Sequence, residues 1–195
     1  MSEVLLGHAV VEENLALEYV QSPNPPEERK EMMRLIINAV TEQVERYCRR
    51  PWRSRAFVDL QDGNGTVRMT LRRMPIVSLT SVLRLNRDGT TAAAYTASDF
   101  VVSLERGSIE FRSWNVFWRG FENYQISYTA GYAAIPDDVR MAALIAINDA
   151  WKDYEQQRDG LESISFEGET KQFNRDVLPK KARQRLDRYR LGAQV

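Results

Sequence analysis

The sequence predicts an α+β fold: a helical bundle interrupted by a small antiparallel β insertion at about 55–130. The expected long helices lie near 27–50 and 137–158, with a C-terminal helix near 178–191. Three observations carry this reading. Two long apolar stripes repeat at helical spacing, and each is opened by proline and acidic residues. Between them the texture changes to short β-rich pieces separated by turn signals. Of the 195 residues 43% are hydrophobic, enough for a core, and 28% are charged.

In chain order, Val11, Leu15 and Tyr19 repeat at spacing four and predict a short first helix. Ser22-Pro23-Asn24-Pro25-Pro26 must break it. The same prolines open the next helix, and Glu27 and Glu28 suit the positive end of its dipole. Met33, Ile36, Ile37, Val40, Val44 and Tyr47 then form one stripe, and Pro51 ends it. In the β region, Ala56–Gln61 and Thr66–Leu71 flank Asp62-Gly63-Asn64-Gly65, which reads as a hairpin turn. Val77–Asn86 runs into a turn at Arg87–Thr90. Phe100–Leu104 and Ser108–Arg112 flank Glu105-Arg106-Gly107, and Tyr124–Thr129 alternates. Pro136, Asp137 and Asp138 start the second strong helix, whose expected face is Val139, Ala142, Ala143, Ala146, Ile147, Ala150 and Tyr154. Gly160–Phe173 reads as a loop or mobile hairpin, and Leu178, Ala182, Leu186 and Tyr189 mark the last helix. The expected division is a core at 1–160 and a flexible loop with a basic docking helix at 161–195.

Signals for chemistry are sparse. His8 is the one histidine and Cys48 the one cysteine, so an internal disulfide is excluded and a zinc ligand set is missing. Cys48 reads as a small semi-buried residue at a helix end. No nucleotide-binding glycine pattern occurs. Asp137-Asp138 offers a paired acid and base or a cation site, but carboxylates directly after a proline suit a helix start. The expectation is a protein without catalytic residues, cofactor or metal. No apolar run approaches the roughly 20 residues that span a bilayer, and the start of the chain does not read as a signal peptide. Manufacture in the cytoplasm of the producing cell is the expectation.

Charge is more informative locally than globally. Twenty-seven basic residues balance 27 acidic ones, so the whole chain has no pull toward nucleic acid or an anionic membrane. Yet Lys171, Arg175, Lys180, Lys181, Arg183, Arg185, Arg188 and Arg190 face only Asp176 and Asp187 in the last stretch. The preceding stretch, 152–170, is acidic. Three readings stay open: attraction within one molecule, complementarity between copies or with an acidic partner, and phosphate contact. The aromatic cluster Phe111, Trp114, Phe117, Trp118 and Phe121 is too large and too mixed with Arg112, Asn115 and Arg119 to be core throughout. Trp114, Phe117, Trp118, Arg119 and Phe121 are interface candidates.

Three stretches then carry a family resemblance. Glu45-Arg46-Tyr47-Cys48-Arg49-Arg50 closes a helix before the β region, and Leu71-Arg72-Arg73-Met74-Pro75-Ile76-Val77-Ser78-Leu79-Thr80-Ser81-Val82 is a proline-led strand entry. Ile126-Ser127-Tyr128-Thr129-Ala130-Gly131-Tyr132 leads to Ile135-Pro136-Asp137-Asp138-Val139, an alanine-rich helix and Trp151. In order and spacing this resembles the head-to-tail connector (adaptor) proteins of long-tailed phages and gene transfer particles, over about Met33 to Gly160. The resemblance implies a virion protein of the capsid–tail junction: a ring of about twelve copies with heterologous contacts. It would bridge the portal protein to a stopper or tail-completion protein, with packaged DNA passing through the lumen without sequence specificity. Arg175, Lys180, Lys181, Arg183, Arg185, Leu186, Arg188, Tyr189 and Arg190 become portal-docking candidates. The aromatic segment 111–121 and the basic C-terminus depart from the family pattern. Another neck or tail-completion protein, a nucleic-acid-binding module and a hydrolase are the alternatives.

Overall fold

A computed structural model describes residues 4–156, 163–166, 169–172 and 178–191. The chain divides into two compact units: Arg50–Ala134, and Met1–Arg49 together with Ile135–Val195.

The Arg50–Ala134 unit is all sheet apart from one short 3-10 turn. Its strands are β1 (Arg55–Gly63), β2 (Arg68–Thr70), β3 (Ile76–Leu85), β4 (Thr91–Thr96), β5 (Phe100–Ser103), β6 (Ser108–Phe111) and β7 (Gly120–Ala130). They form a four-stranded sheet in the order β1-β7-β3-β4 and a three-stranded sheet in the order β2-β6-β5. Every pairing is antiparallel. Both sheets contribute to one core, in which Leu79, Val82, Ile126 and Tyr128 from the first meet Met69, Phe100, Ile109 and Phe111 from the second. This overturns the expected helical bundle with a small β insertion. The β region is a two-sheet unit with its own hydrophobic core, and each buried aromatic ring contributes roughly 2–3 kcal/mol by leaving water.

Three local readings change with it. Asp62-Gly63-Asn64-Gly65 does not close a hairpin: β1 pairs with β7, while β2 belongs to the other sheet. The turn is a corner between sheets, held by Asn64, whose Oδ1 accepts from Thr66 N at 2.9 Å and whose Nδ2 donates to Arg68 O at 2.8 Å. Strand β4 carries three consecutive alanines, which no β propensity signals. Strand β7 runs back through Phe121 to Gly120, where irregular polarity hid it.

The helical unit contains α1 (Glu13–Tyr19), α2 (Glu27–Cys48), α3 (Asp137–Glu155) and α4 (Lys180–Leu186), the last followed by a 3-10 turn at Asp187–Tyr189. Strands β8 (Ser163–Phe166) and β9 (Glu169–Gln172) pair antiparallel. Proline starts three of the four helices. Pro26, Pro136 and Pro179 occupy the position before the first helical residue in extended conformation, and their carbonyls accept the first backbone bonds. A ring-locked φ is pre-organised for this entry, and its lost N–H would have been unpaired anyway. At the other end of α2, Arg49 adopts the left-handed conformation and terminates the helix.

Buried faces follow the expected stripes on α2, except that Cys48 is buried where Tyr47 was expected. On α3 the fully buried aromatic is Trp151, while Tyr154 is exposed. The α1 stripe is displaced. Leu15 and Tyr19 are exposed, and Ala16 and Leu17 are buried along with the preceding Ala9, Val10 and Val11. Val11 lies outside the helix, so spacing four from it marks no face. This segment is instead tied to α2, where Asn38 binds Val4 and Leu6 backbone groups and Thr41 Oγ1 accepts from Val10 N at 3.1 Å.

Gly131 ends β7 at φ +121°, where a Cβ would stand 2.4 Å from Arg53 O. Gly131→Ala is expected to lower stability by about 2–3 kcal/mol in urea unfolding, from backbone strain and steric contact together.

Candidate functional site

The aromatic segment between β6 and β7 is an anchored corner of the β unit. Phe117 N donates to Thr66 O (2.8 Å), and Gly65 N donates to Phe117 O (2.6 Å). Trp118 N donates to Tyr124 Oη (3.0 Å), and Asn123 bridges Trp118 O and Gly63 N. Asp62 Oδ1 accepts from Glu122 N at 2.6 Å, where Glu122 has φ +44°. The Phe117 ring is fully buried, 4.7 Å from Phe111 and 5.3 Å from Tyr124 between centroids. Burial also raises the Tyr124 hydroxyl above the usual tyrosine range, against the opposing bond from Trp118.

The same backbone turns the other rings outward. Trp114 is 99% exposed, Phe121 82% and Trp118 56%. Arg84 lies over Trp118 with its guanidinium carbon 5.8 Å from the ring centroid, and Arg119 passes against Gly65. Of the five interface candidates, Trp114, Trp118, Arg119 and Phe121 therefore present themselves to solvent. Phe117 does not: it is the plug that holds the corner, and it belongs to the core.

The basic C-terminal helix packs into the helical unit. Leu178, Ala182 and the docking candidate Leu186 are buried within the unit. Cys48 is buried, with its Sγ 3.9 Å from Leu186 O. Asp138 at the start of α3 receives Arg185 (3.3 Å) and Arg188, so these two cations are engaged within the molecule. Asp187 accepts from Tyr47 Oη at 2.5 Å, and that bond, followed by burial, raises the Tyr47 hydroxyl above its usual range. Arg190 lies over the Tyr47 ring and Arg188 over Tyr189, which is half-buried. Lys180, Lys181 and Arg190 are exposed, Arg183 is half-buried, and Arg175 lies outside the described residues.

Sequence reasoning missed two groupings. Asp138 reads as a helix-start residue but also clamps α4, a long-range contact without a local signal. Asp59 is buried on β1, accepts from Tyr128 Oη at 2.6 Å and pairs with Arg73, which lies over Phe57. Burial first, and then the Asp59 hydrogen bond, push the Tyr128 hydroxyl far above its ordinary value. A phenol held protonated in this way is an internal strut, the opposite of an activated nucleophile. Asp137, almost fully exposed, stands 3.8 Å from Arg140. Among the described residues no group of three His, Cys, Asp or Glu could hold a metal ion, and no helix is long and apolar enough to cross a membrane.

A corner that turns three aromatic rings and an arginine to solvent has the composition of a contact hot spot, the kind of surface a protein-assembly component carries. The chain belongs to the head completion protein family, whose match covers residues 12–191. Solved structures share its fold along nearly the whole length. A chain from the neck of an empty GTA particle computed with C6 symmetry is similar at TM-score 0.66 and 15% identity, covering 98% of this chain and 97% of that one. One from the virion of a native gene transfer agent (GTA) particle gives 0.66 at 14% identity over 98% and 97%. One from the neck of a native GTA particle computed with C12 symmetry gives 0.58 at 18% identity over 97% and 96%. No curated protein matches the chain in sequence.

The two fates of the aromatic segment separate in stability. Phe117→Ala is expected to cost about 3–5 kcal/mol in urea unfolding. Trp114→Ala and Phe121→Ala are expected to stay within about 0.5 kcal/mol of the parent.

Proposed function

We propose that this protein is a head-to-tail connector: a structural component of the particle neck that assembles as a ring between the portal and the tail-side stopper or completion protein. DNA passes through the lumen. The observation that carries the reading is the similarity of both units together, 98% of the chain, to a neck protein of a gene transfer agent particle. Membership of the head completion family supports the same role. Neck particles computed with C6 and C12 symmetry support a ring of the expected kind. In a ring, each copy must offer two different patches so that rotation closes the assembly. The exposed aromatic corner is the anchor for a neighbouring neck component, since Trp114 and Phe121 are held outward by a backbone already ordered and so lose little freedom on contact.

The nearest rival is another tail-completion protein. A sheet-rich fold does not separate the two, because this chain itself contains a substantial two-sheet unit. Function therefore has to be read in the particle. Particles assembled without this chain are expected to be DNA-filled heads lacking tails, and adding the purified protein is expected to restore joining. Tailed, infectious or transfer-competent particles in its absence would contradict the proposal.

A further inference from the structure

We infer that neighbouring copies of this chain meet through opposite ends of the helical unit, the basic end of one copy against the acidic end of the next. The inference rests on the ring reading above and names the surface that closes the ring.

The helical unit is electrically polarised along its length. Helix α2 has 22 residues and so spans about 33 Å at the standard rise. Helix α3 lies antiparallel to it, because Arg29 in the first turn of α2 meets Glu155 at the end of α3 at 3.5 Å and lies over Trp151. Helix α1 joins the same end through Glu13, which accepts from Arg34 at 2.9 Å. At the other end, α4 is fixed by Asp138 at the start of α3 and by Leu191 N bonding to Cys48 O at 3.1 Å.

Charge sorts with these ends. Residues 12–34 and 149–156 hold nine carboxylates against four cations. Residues 35–49, 135–148 and 178–191 hold nine cations against five carboxylates. The pairs Arg29–Glu155, Arg34–Glu13 and Arg185–Asp138 do not erase the difference. Glu18 and Glu28 remain exposed at the acidic end, and Lys180 and Lys181 remain exposed at the basic end. Leu15 and Tyr19, also exposed beside the acidic cluster, add apolar contact area there.

Two complementary but different patches on one chain are what a heterologous, ring-closing contact requires. An acidic portal surface would use only the basic end, as would DNA, and either would leave the acidic end unexplained. A second copy satisfies both ends in equal number. Opposed charges of this kind set orientation and partner choice, and their effect weakens as salt rises.

The test is charge reversal with compensation, read by sedimentation velocity on the full chain. Wild-type protein is expected to self-associate at about 50 mM salt and to lose at least roughly tenfold in association constant at about 500 mM. Lys180→Glu with Lys181→Glu cancels the net charge of the basic end and leaves the acidic end intact, while Glu18→Lys with Glu28→Lys nearly cancels the acidic end and leaves the basic end intact. Each double variant alone is expected to weaken association at least tenfold, and an equimolar mixture of the two is expected to restore it. Absence of wild-type association, reversals that change nothing, or a mixture that stays dissociated would overturn the inference. So would loss of portal binding by the lysine variant with self-association intact. Failure of the ring reading shows separately, as normal tail joining in particles that lack the chain.

Discussion

The burial of Phe117 is the contact on which the candidate surface depends. Its ring closes a chain of aromatic contacts from Phe100 and Phe111 to Tyr124, so it joins residues of both sheets in the β unit. Its backbone bonds to Gly65 and Thr66 at the corner where the chain leaves β1 for β2. With the ring seated, Trp114, Trp118 and Phe121 stand outside the core. A buried side chain and its backbone bonds thereby anchor an irregular segment that carries exposed aromatics. Exposed rings of this size, clustered with arginine, are costly in a protein that has no partner to cover them.

The helical unit follows a different logic. Three of its four helices begin at prolines, which set the entry without side-chain caps, and its basic C-terminal helix is drawn in by three apolar residues and by Asp138. Ion pairs this exposed contribute little each in water, so the apolar contacts hold the helix and the charges orient it. Arg185 and Arg188 thus serve as internal structure, while Lys180 and Lys181 stay exposed.

Helix positions were legible in the sequence because proline, acidic first turns and period-3.6 stripes are local signals. The displaced α1 face shows the limit: Val11 fits the spacing but precedes the helix. Strand pairing was much less legible. Asp62-Gly63-Asn64-Gly65 has the composition of a hairpin turn and serves as a corner between sheets, a distinction set by where β7 arrives from nearly sixty residues away. The β4 alanines carry no propensity signal, and their strand exists because β3 offers an edge. For the candidate site, composition marked the aromatic segment as too large for the core. It could not tell Phe117 from Trp118, adjacent residues sent to opposite environments by backbone bonds to distant residues. Asp138 and Asp59 were likewise invisible as partners, because their cations arrive from other parts of the chain.

Family membership and a fold shared with chains of gene transfer agent necks agree on a structural role at the particle neck. The most direct measurement is a cryo-electron microscopy reconstruction of the particle that contains this chain, with neck density resolved well enough to trace both units. The account predicts a closed ring of copies between the portal vertex and the tail, with the Trp114 and Phe121 side chains buried against a neighbouring component. Density for the chain elsewhere in the particle, or a neck built without it, would contradict the account.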